Sequence, residues 1–383
     1  MSNYKSPWMT EELQMFQDSV RKFYDNECVP NEDRWAAQHH PEREIWNKLG
    51  AMGMLCASIP EEYGGGGGSF VHDAVILAEQ ARATVSAFGN AVHSGIVAHY
   101  ILNYGTEAQK RKWLPKMATG ELVAAIAMSE PGAGSDLKSI KTRAVKAGEQ
   151  YVINGSKTFI TNGFHANLIC VVVKTDPDKG SKGVSLVMIE TDNLAGFRRG
   201  RFLEKIGMKA GDTTELFFDD VRVPCDNVLG GVEGMGFAHL MQQLPRERMY
   251  IAVQAVATMT RAIEVTTDYV RDRIVFEKPL IETQNTRFTL AECVTEAEIA
   301  QVFVDSCIER LMKGELDSAT ASMAKWWCTE RNCVIIDKCL QLHGGYGYMM
   351  EYPIARMYVN ARVGKIYGGS NEIMKELIAR TLD

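Results

Sequence analysis

Apolar residues recur at helical spacing over the first third of the chain, switch to short strand-like runs near residue 122, and return to long helical stripes after Gly230-Gly231. Leu13, Phe16, Val20 and Phe23 share one side of a 3.6-residue period, and Thr10 stands where it can cap that segment. Glu11 and Glu12 occupy the first turn, where the helix dipole favours negative charge. Thr106 to Gln109 has the spacing of a capping box and predicts another helix start. Further on, Tyr151–Ile153, Asn154-Gly155 and Lys157–Thr161 predict a hairpin, because Asn-Gly suits the positive φ angles of a type I′ turn. Leu168 to Lys174, Val184 to Glu190 and Glu215 to Val223 predict further strands. Residues 236–275, 284–313, 317–342 and 372–382 are amphipathic at helical period. The expected fold is α+β and multidomain: a helical N-terminal domain over 1–121, a middle antiparallel β-barrel or sandwich over 122–230, and a C-terminal four-helix bundle over 231–383.

Composition narrows the function classes. The 383 residues are 46% apolar with a net charge of −6, enough for large cores and without a basic patch that would suggest nucleic acid. Nine cysteines show neither C-x-x-C pairs nor Cys/His clusters at zinc spacing, so no metal site is expected and the thiols read as reduced. No window approaches the roughly 18 uninterrupted apolar residues of a membrane span. The first residues carry acidic side chains and no apolar core, so no targeting segment is expected in this chain. The expected location is cytoplasmic, or the mitochondrial matrix if a transit peptide has been removed.

One stretch stands out chemically. In Leu244-Pro245-Arg246-Glu247-Arg248-Met249, a proline near the start of a helix precedes a carboxylate wedged between two arginines. An apolar run, Ile251 to Ala257, follows. A carboxylate at the edge of such a run is paired to Arg246, Arg248 or Arg261, exposed, or held at a raised pKa for proton chemistry. The five glycines Gly64 to Gly68 look like a phosphate cradle, but no lysine or Gly-x-Gly-x-x-Gly spacing accompanies them, and a flexible connector is the reading they favour. The backbone of Glu130–Ser135, with two glycines, can approach a ligand closely or form an ordinary turn.

Taken together, these motifs resemble the acyl-CoA dehydrogenase family over essentially the whole chain. Met128-Ser-Glu-Pro-Gly-Ala-Gly-Ser-Asp136 is similar to the family's flavin loop. Arg273-x-x-Phe276-x-Lys-Pro279 with Gln284, and Gln341-Leu-His-Gly-Gly345-Tyr-Gly347, resemble two further signatures. The closing run Ile366 to Arg380 is most similar to the long-chain branch. The resemblance implies bound FAD, a homotetramer, an acyl-CoA substrate and an electron-transferring flavoprotein as partner. The expected reaction is α,β-dehydrogenation of the thioester to the trans-2-enoyl-CoA, in fatty-acid or branched-chain catabolism.

The residue roles implied are as follows. Ile126, Met128, Ser129, Gly134, Ser135, Phe159, Ile160 and Thr161 line FAD, while Arg273, Gln284, Gln341, Leu342, His343, Gly344 and Gly345 reach the FAD of a neighbouring subunit. Ser370, Asn371 and Glu372 complete the cofactor contacts, with His343 read as a loop residue near FAD rather than a catalytic base. Ser135, Pro245, Arg246, Arg248, Gly368 and Gly369 contact substrate. The medium-chain pattern carries its base in an Ile-Tyr-Glu-Gly loop. Here the loop reads Ile366-Tyr367-Gly368-Gly369, so the base falls to Glu247, as in the long-chain and isovaleryl branches, and Gly368 N–H binds the thioester oxygen. Glu372 and Glu376 are the competing carboxylates. An acyl-CoA oxidase on the same fold and a non-catalytic acyl-CoA binding protein are the alternative functions; neither Glu247 nor the small Ala238 nine residues before it sets acyl chain length.

Overall fold

In the computed structural model, residues 4–382 are described, and the chain alternates between helical and sheet architecture twice. The first helical region comprises α1 (Glu11–Phe23), α2 (Glu32–Gln38), α3 (Glu44–Ala51), α4 (Phe70–Arg82), α5 (Ala98–Tyr104) and α6 (Glu107–Ala118). Thr10 caps α1 by accepting from Leu13 N–H, and Thr106 and Gln109 form the expected capping box on α6. The strands are β1 (Ala124–Ala127), β2 (Arg143–Ala147), β3 (Gln150–Thr161), β4 (Leu168–Lys174), β5 (Val184–Glu190), β6 (Phe197–Phe202) and β7 (Thr213–Pro224). They form one curled sheet in the order β1-β4-β2-β3-β7-β6, with β5 on β4. β1 and β4 run parallel, so the sheet is mixed rather than purely antiparallel.

The C-terminal region opens on α7 (Gly236–Asp272), followed by the small β8 (Ile274–Val275) and β9 (Lys278–Pro279). It continues through α8 (Gln284–Met312), α9 (Ser318–His343), α10 (Pro353–Ala361) and α11 (Asn371–Ala379). The four expected helical segments are present, and α10 is an addition to them. Its Ile354, Ala355 and Met357 are buried against the bundle.

Three local expectations are corrected. Asn154-Gly155 is not a hairpin turn: β3 runs straight through it with a bulge against β7, and the tight turn lies at Gly148-Glu149, between Ala147 and Gln150. Asn154 instead accepts from Asp220 N–H at 3.0 Å and donates to Asp220 Oδ1 at 2.9 Å, which fixes the bulge. The five-glycine segment is not a flexible connector. The N–H groups of Gly65, Gly66, Gly67 and Gly68 donate to the carbonyls of Pro60, Cys56, Ile59 and Ala57, folding the loop onto the chain just before it. An ideal Cβ on Gly65 would stand 2.2 Å from Ile59 O, so glycine is there for close approach. Pro245 lies inside α7 rather than near its start, which leaves the turn before Glu247 without one backbone donor.

Candidate active site

Within α7, Leu240, Gln243 and Glu247 recur at i, i+3 and i+7 and are all buried. This stripe turns toward α5, where Gln243 Nε2 donates to His99 O at 3.2 Å. Tyr100, fully buried one residue on, donates its hydroxyl to Glu247 Oε1 at 2.8 Å. Glu247 makes no ion pair among the described residues. Each arginine that might have taken it is engaged elsewhere: Arg246 with Asp73 at 3.0 Å, Arg261 with Glu264, and Arg248 with the hydroxyls of Ser318 and Ser322. Burial therefore dominates and pushes the Glu247 carboxyl up to about 7, opposed by the Tyr100 hydrogen bond and by the Arg248 charge. The carboxyl is thus neither ion-paired among the described residues nor exposed, and its pKa is raised.

Arg246 is itself enclosed by the fold. Its guanidinium donates to Tyr250 Oη, Ser58 Oγ and Asp73 Oδ2 and lies 2.9 Å from His99 Nε2. These contacts tie α7 to α4, α5 and the segment before the glycine loop. Asp73, Ser58 and Tyr250 carried no sequence signal for this cluster, since its members are scattered over the chain.

Across from Glu247, the Ile366–Ser370 loop packs directly on α7. Gly368 has φ +64° and Gly369 φ +91°, the left-handed region where glycine is at ease. Ile251, one helical turn after Glu247, comes so near that a Cβ on Gly368 would be 2.3 Å from its Cδ1. The fold thus brings Glu247 and Gly368 to the same stretch of α7. Lys325 of α9 holds the loop from behind: its Nζ donates to Gly369 O at 2.6 Å and to Asn371 Oδ1 at 3.0 Å. Burial, aided by repulsion from Arg248, pulls this lysine down to about 8. Ser370 caps α11, and Glu372 in its first turn is exposed. Neither Tyr100 nor Lys325 was anticipated, although a lysine on the apolar face formed by Ala321, Ala324 and Cys328 is a signal the sequence does contain.

A second group of residues gathers where β1 leaves the sheet. Ile126 ends half-buried in β1, and Ser129 O accepts from Thr158 N–H at 3.0 Å, linking the 128–136 loop to β3. Glu130 and Ala133 exchange backbone hydrogen bonds, and the Glu130 carboxylate receives Lys157 Nζ at 2.8 Å and the N–H groups of Lys141 and Thr142. Lys157 is fully buried and drawn down to about 8 by burial. The loop is thus an anchored structure rather than an ordinary turn. Ser135 is exposed at its tip. Phe159, in a bulge with φ +60°, is 69% exposed, whereas its neighbour Ile160 is buried.

A third group lies at the far end of the helical bundle. Arg273, at the end of α7, sits over the Tyr346 ring at 5.7 Å, and Tyr269 donates to His343 O. His343 is the last residue of α9 and buried, not a loop residue; stacked on Tyr269 and touching Thr266, it is held down to about 4 by burial. Gln341, Gly344 and Gly345 beside it in the chain are exposed, as is Gln284 at the start of α8, and Leu342 is half-buried. Among the described residues, no hydrogen bond or ion pair joins this group to the 128–136 loop.

Family models for the acyl-CoA dehydrogenase N-terminal, middle and C-terminal domains match residues 10–121, 125–221 and 234–382. The chain belongs to the acyl-CoA dehydrogenase family. Long-chain specific acyl-CoA dehydrogenase, mitochondrial, of Mus musculus is 46% identical over 375 residues, covering 97% of this chain and 87% of that protein. The crystal structure of acyl-CoA dehydrogenase from Geobacillus kaustophilus matches with TM-score 0.96 at 47% identity, covering 99% of this chain and 100% of that one. A glutaryl-CoA dehydrogenase from Mycobacterium smegmatis, in complex with FADH2, matches with TM-score 0.89 at 26% identity, covering 98% and 95%. As an acyl-CoA dehydrogenase the protein is an oxidoreductase of a FAD-dependent family. The residues present suit that cofactor. A Cβ at Gly132 or Gly134 would meet nothing within 4 Å, Phe159 offers an uncovered aromatic face, and the buried His343 Nδ1 has no partner among the described residues.

Proposed function

We propose that the protein dehydrogenates an acyl-CoA thioester to the trans-2-enoyl-CoA, with Glu247 as the base that takes the α proton. The observation that carries this is the Glu247 carboxyl: buried, without an ion pair, held at about 7, and one helical turn from the residue that touches Gly368. A base near neutrality combines a usable ionised fraction with driving force for proton transfer. The Gly368 N–H binds the thioester oxygen, which acidifies the α carbon by stabilising the enolate charge as it forms. Bound FAD supplies the acceptor for the β hydride. Met128, Ser129, Gly134, Ser135 and Phe159–Thr161 hold it within the chain, and Arg273, Gln284 and Gln341–Gly345 serve the flavin of a neighbouring subunit in a homotetramer. Ser370, Asn371 and the exposed Glu372 contact the cofactor at the end of the Gly368 loop. Arg246 and Arg248 act on the substrate through the walls they build, because Arg246 Nε and Nη2 and Arg248 Nη1 are engaged by the fold.

The name of the mouse relative supports a long-chain acyl group, and an electron-transferring flavoprotein is the proposed acceptor of the electrons. Boundaries near residues 121 and 230 separate the three proposed domains. All nine cysteines are unpaired, which supports a reducing compartment. The deciding experiment is anaerobic flavin reduction by a panel of acyl-CoAs in wild type and Glu247→Gln. Loss of about 100- to 10,000-fold in the variant, with flavin still bound, is expected. Reduction at the wild-type rate would reject the assignment and turn attention to Glu372.

A further inference from the structure

The tyrosine beside the base has no assigned role. Tyr100 lies in the middle of α5 with Val97, Ala98 and Ile101 buried around it, so its ring is fixed by packing. Its hydroxyl has one hydrogen bond among the described residues, to Glu247 Oε1. Glu247 Oε2 has none. Burial, then the Glu247 charge, holds the phenol well above its ordinary range, so Tyr100 keeps its proton and remains a donor throughout.

Resting on the reading of Glu247 as the base, we infer that Tyr100 is a positioning residue: its hydroxyl secures Oε1 and leaves Oε2 as the oxygen that takes the α proton. The α C–H bond breaks, its proton bonds to Oε2, and its electron pair enters the Cα–Cβ double bond as the β carbon gives up its hydride to the acceptor that bound FAD would supply. Tyr100 donates more strongly to the carboxylate than to the neutral acid, so it favours the ionised resting state against the burial that opposes it. Other groups surround the same carboxylate without offering it a hydrogen bond. Tyr104, one turn along α5, is stacked on His239 of α7, Cys170 lies on β4, and Arg248 follows on α7 with its Nη1 given to two serines. Among the described residues Tyr100 is therefore the one hydrogen-bond donor to the base: it sets the orientation of the carboxylate and, with the Arg248 charge, favours its ionised form.

The test is the pH dependence of anaerobic flavin reduction in Tyr100→Phe, which keeps the ring and removes only the hydroxyl. The acidic limb is expected to move to higher pH by about one to two units, with the plateau rate reduced about tenfold or less. A limb unchanged in position, with a uniform loss of rate at every pH, would overturn the proposal. A readout independent of turnover is the infrared carboxyl band assigned to Glu247 by its absence in Glu247→Gln, whose midpoint should rise in Tyr100→Phe; an unmoved midpoint likewise overturns it. The two readings fail separately. Wild-type reduction in Glu247→Gln removes the base assignment, whereas an inactive Glu247→Gln with an unshifted Tyr100→Phe removes only the role of Tyr100.

Discussion

Gly368 and Ile251 are in close apposition: a Cβ on the glycine would lie 2.3 Å from Cδ1 of the isoleucine, so any larger residue there makes the end of that side chain turn away. Moving the proposed base from helix to loop, by Glu247→Gly with Gly368→Glu, is therefore expected to leave flavin reduction well below wild type. The new carboxylate meets Ile251 and strains a backbone at φ +64°. Adding Ile251→Ala removes the collision and should recover a measurable fraction of flavin reduction. No gain in rate on adding Ile251→Ala to the double variant would refute this account.

The same carboxylate sets a pH dependence of stability. The Glu247 carboxyl stands at about 7 in the folded protein against an ordinary value of 4.5, so folding disfavours its charged form. The destabilisation is absent below about pH 4.5, grows through the window between those values, and is complete above about pH 7. Glu247→Gln should therefore be more stable than wild type at pH 8, by up to about 3 kcal/mol, and equal to it near pH 4.5. Paired thermal melts at the two pH values check this.

Lys325 supports the Gly368 loop from inside the protein, through Gly369 O and Asn371 Oδ1. Lys325→Met keeps the volume and removes both bonds. The expected result is a loss of about tenfold or more in the flavin-reduction rate, since small misplacements of a reacting group are costly, together with about 1–3 kcal/mol of stability. Single-turnover kinetics and urea unfolding measure the two effects.

Two glycines should respond in opposite ways to alanine. Gly65→Ala forces a methyl to 2.2 Å from Ile59 O and is expected to cost stability by about 1–3 kcal/mol, with FAD affinity following only through the fold. Gly134→Ala meets nothing in the chain and should leave the melting of the flavin-free protein unchanged. Its effect should appear instead as weaker FAD binding, measured by flavin fluorescence on dilution.

The helices and most strands were legible because burial repeats with their period: Leu168 to Lys174 and Val184 to Glu190 are strands with the bounds their composition suggests. Asn154-Gly155 misled because a turn signal is local, whereas its neighbours are Asp220 of β7 and Thr142, the residue before β2. Gly64–Gly68 misled for a different reason: its partners, Cys56 to Pro60, are near in sequence, but a close backbone approach is invisible until both sides are folded. At the site, Glu247 could be singled out by its apolar context and Gly368 by the loop that replaces the medium-chain one. The engagement of Arg246 and Arg248, and the hydroxyl of Tyr100, depended on long-range packing that no spacing along the chain encodes.

The Asp73–Arg246 contact joins residues 173 positions apart, and Trp8 Nε1 reaches Asp305 Oδ1 at 2.8 Å across 297 positions. At roughly 5–20 residues per second, a ribosome takes about 10 to 35 seconds to make Arg246 after Asp73. During that interval the N-terminal helices hold a carboxylate that the finished protein buries, with its cationic partner not yet synthesised. Until α7 emerges, Asp73 lacks both Arg246 and Tyr250, and the apolar residues of α4 that α7 covers in the finished protein are without that cover. Nascent chains stalled before residue 246 should be clients of holding chaperones, and those released beyond residue 305 should not.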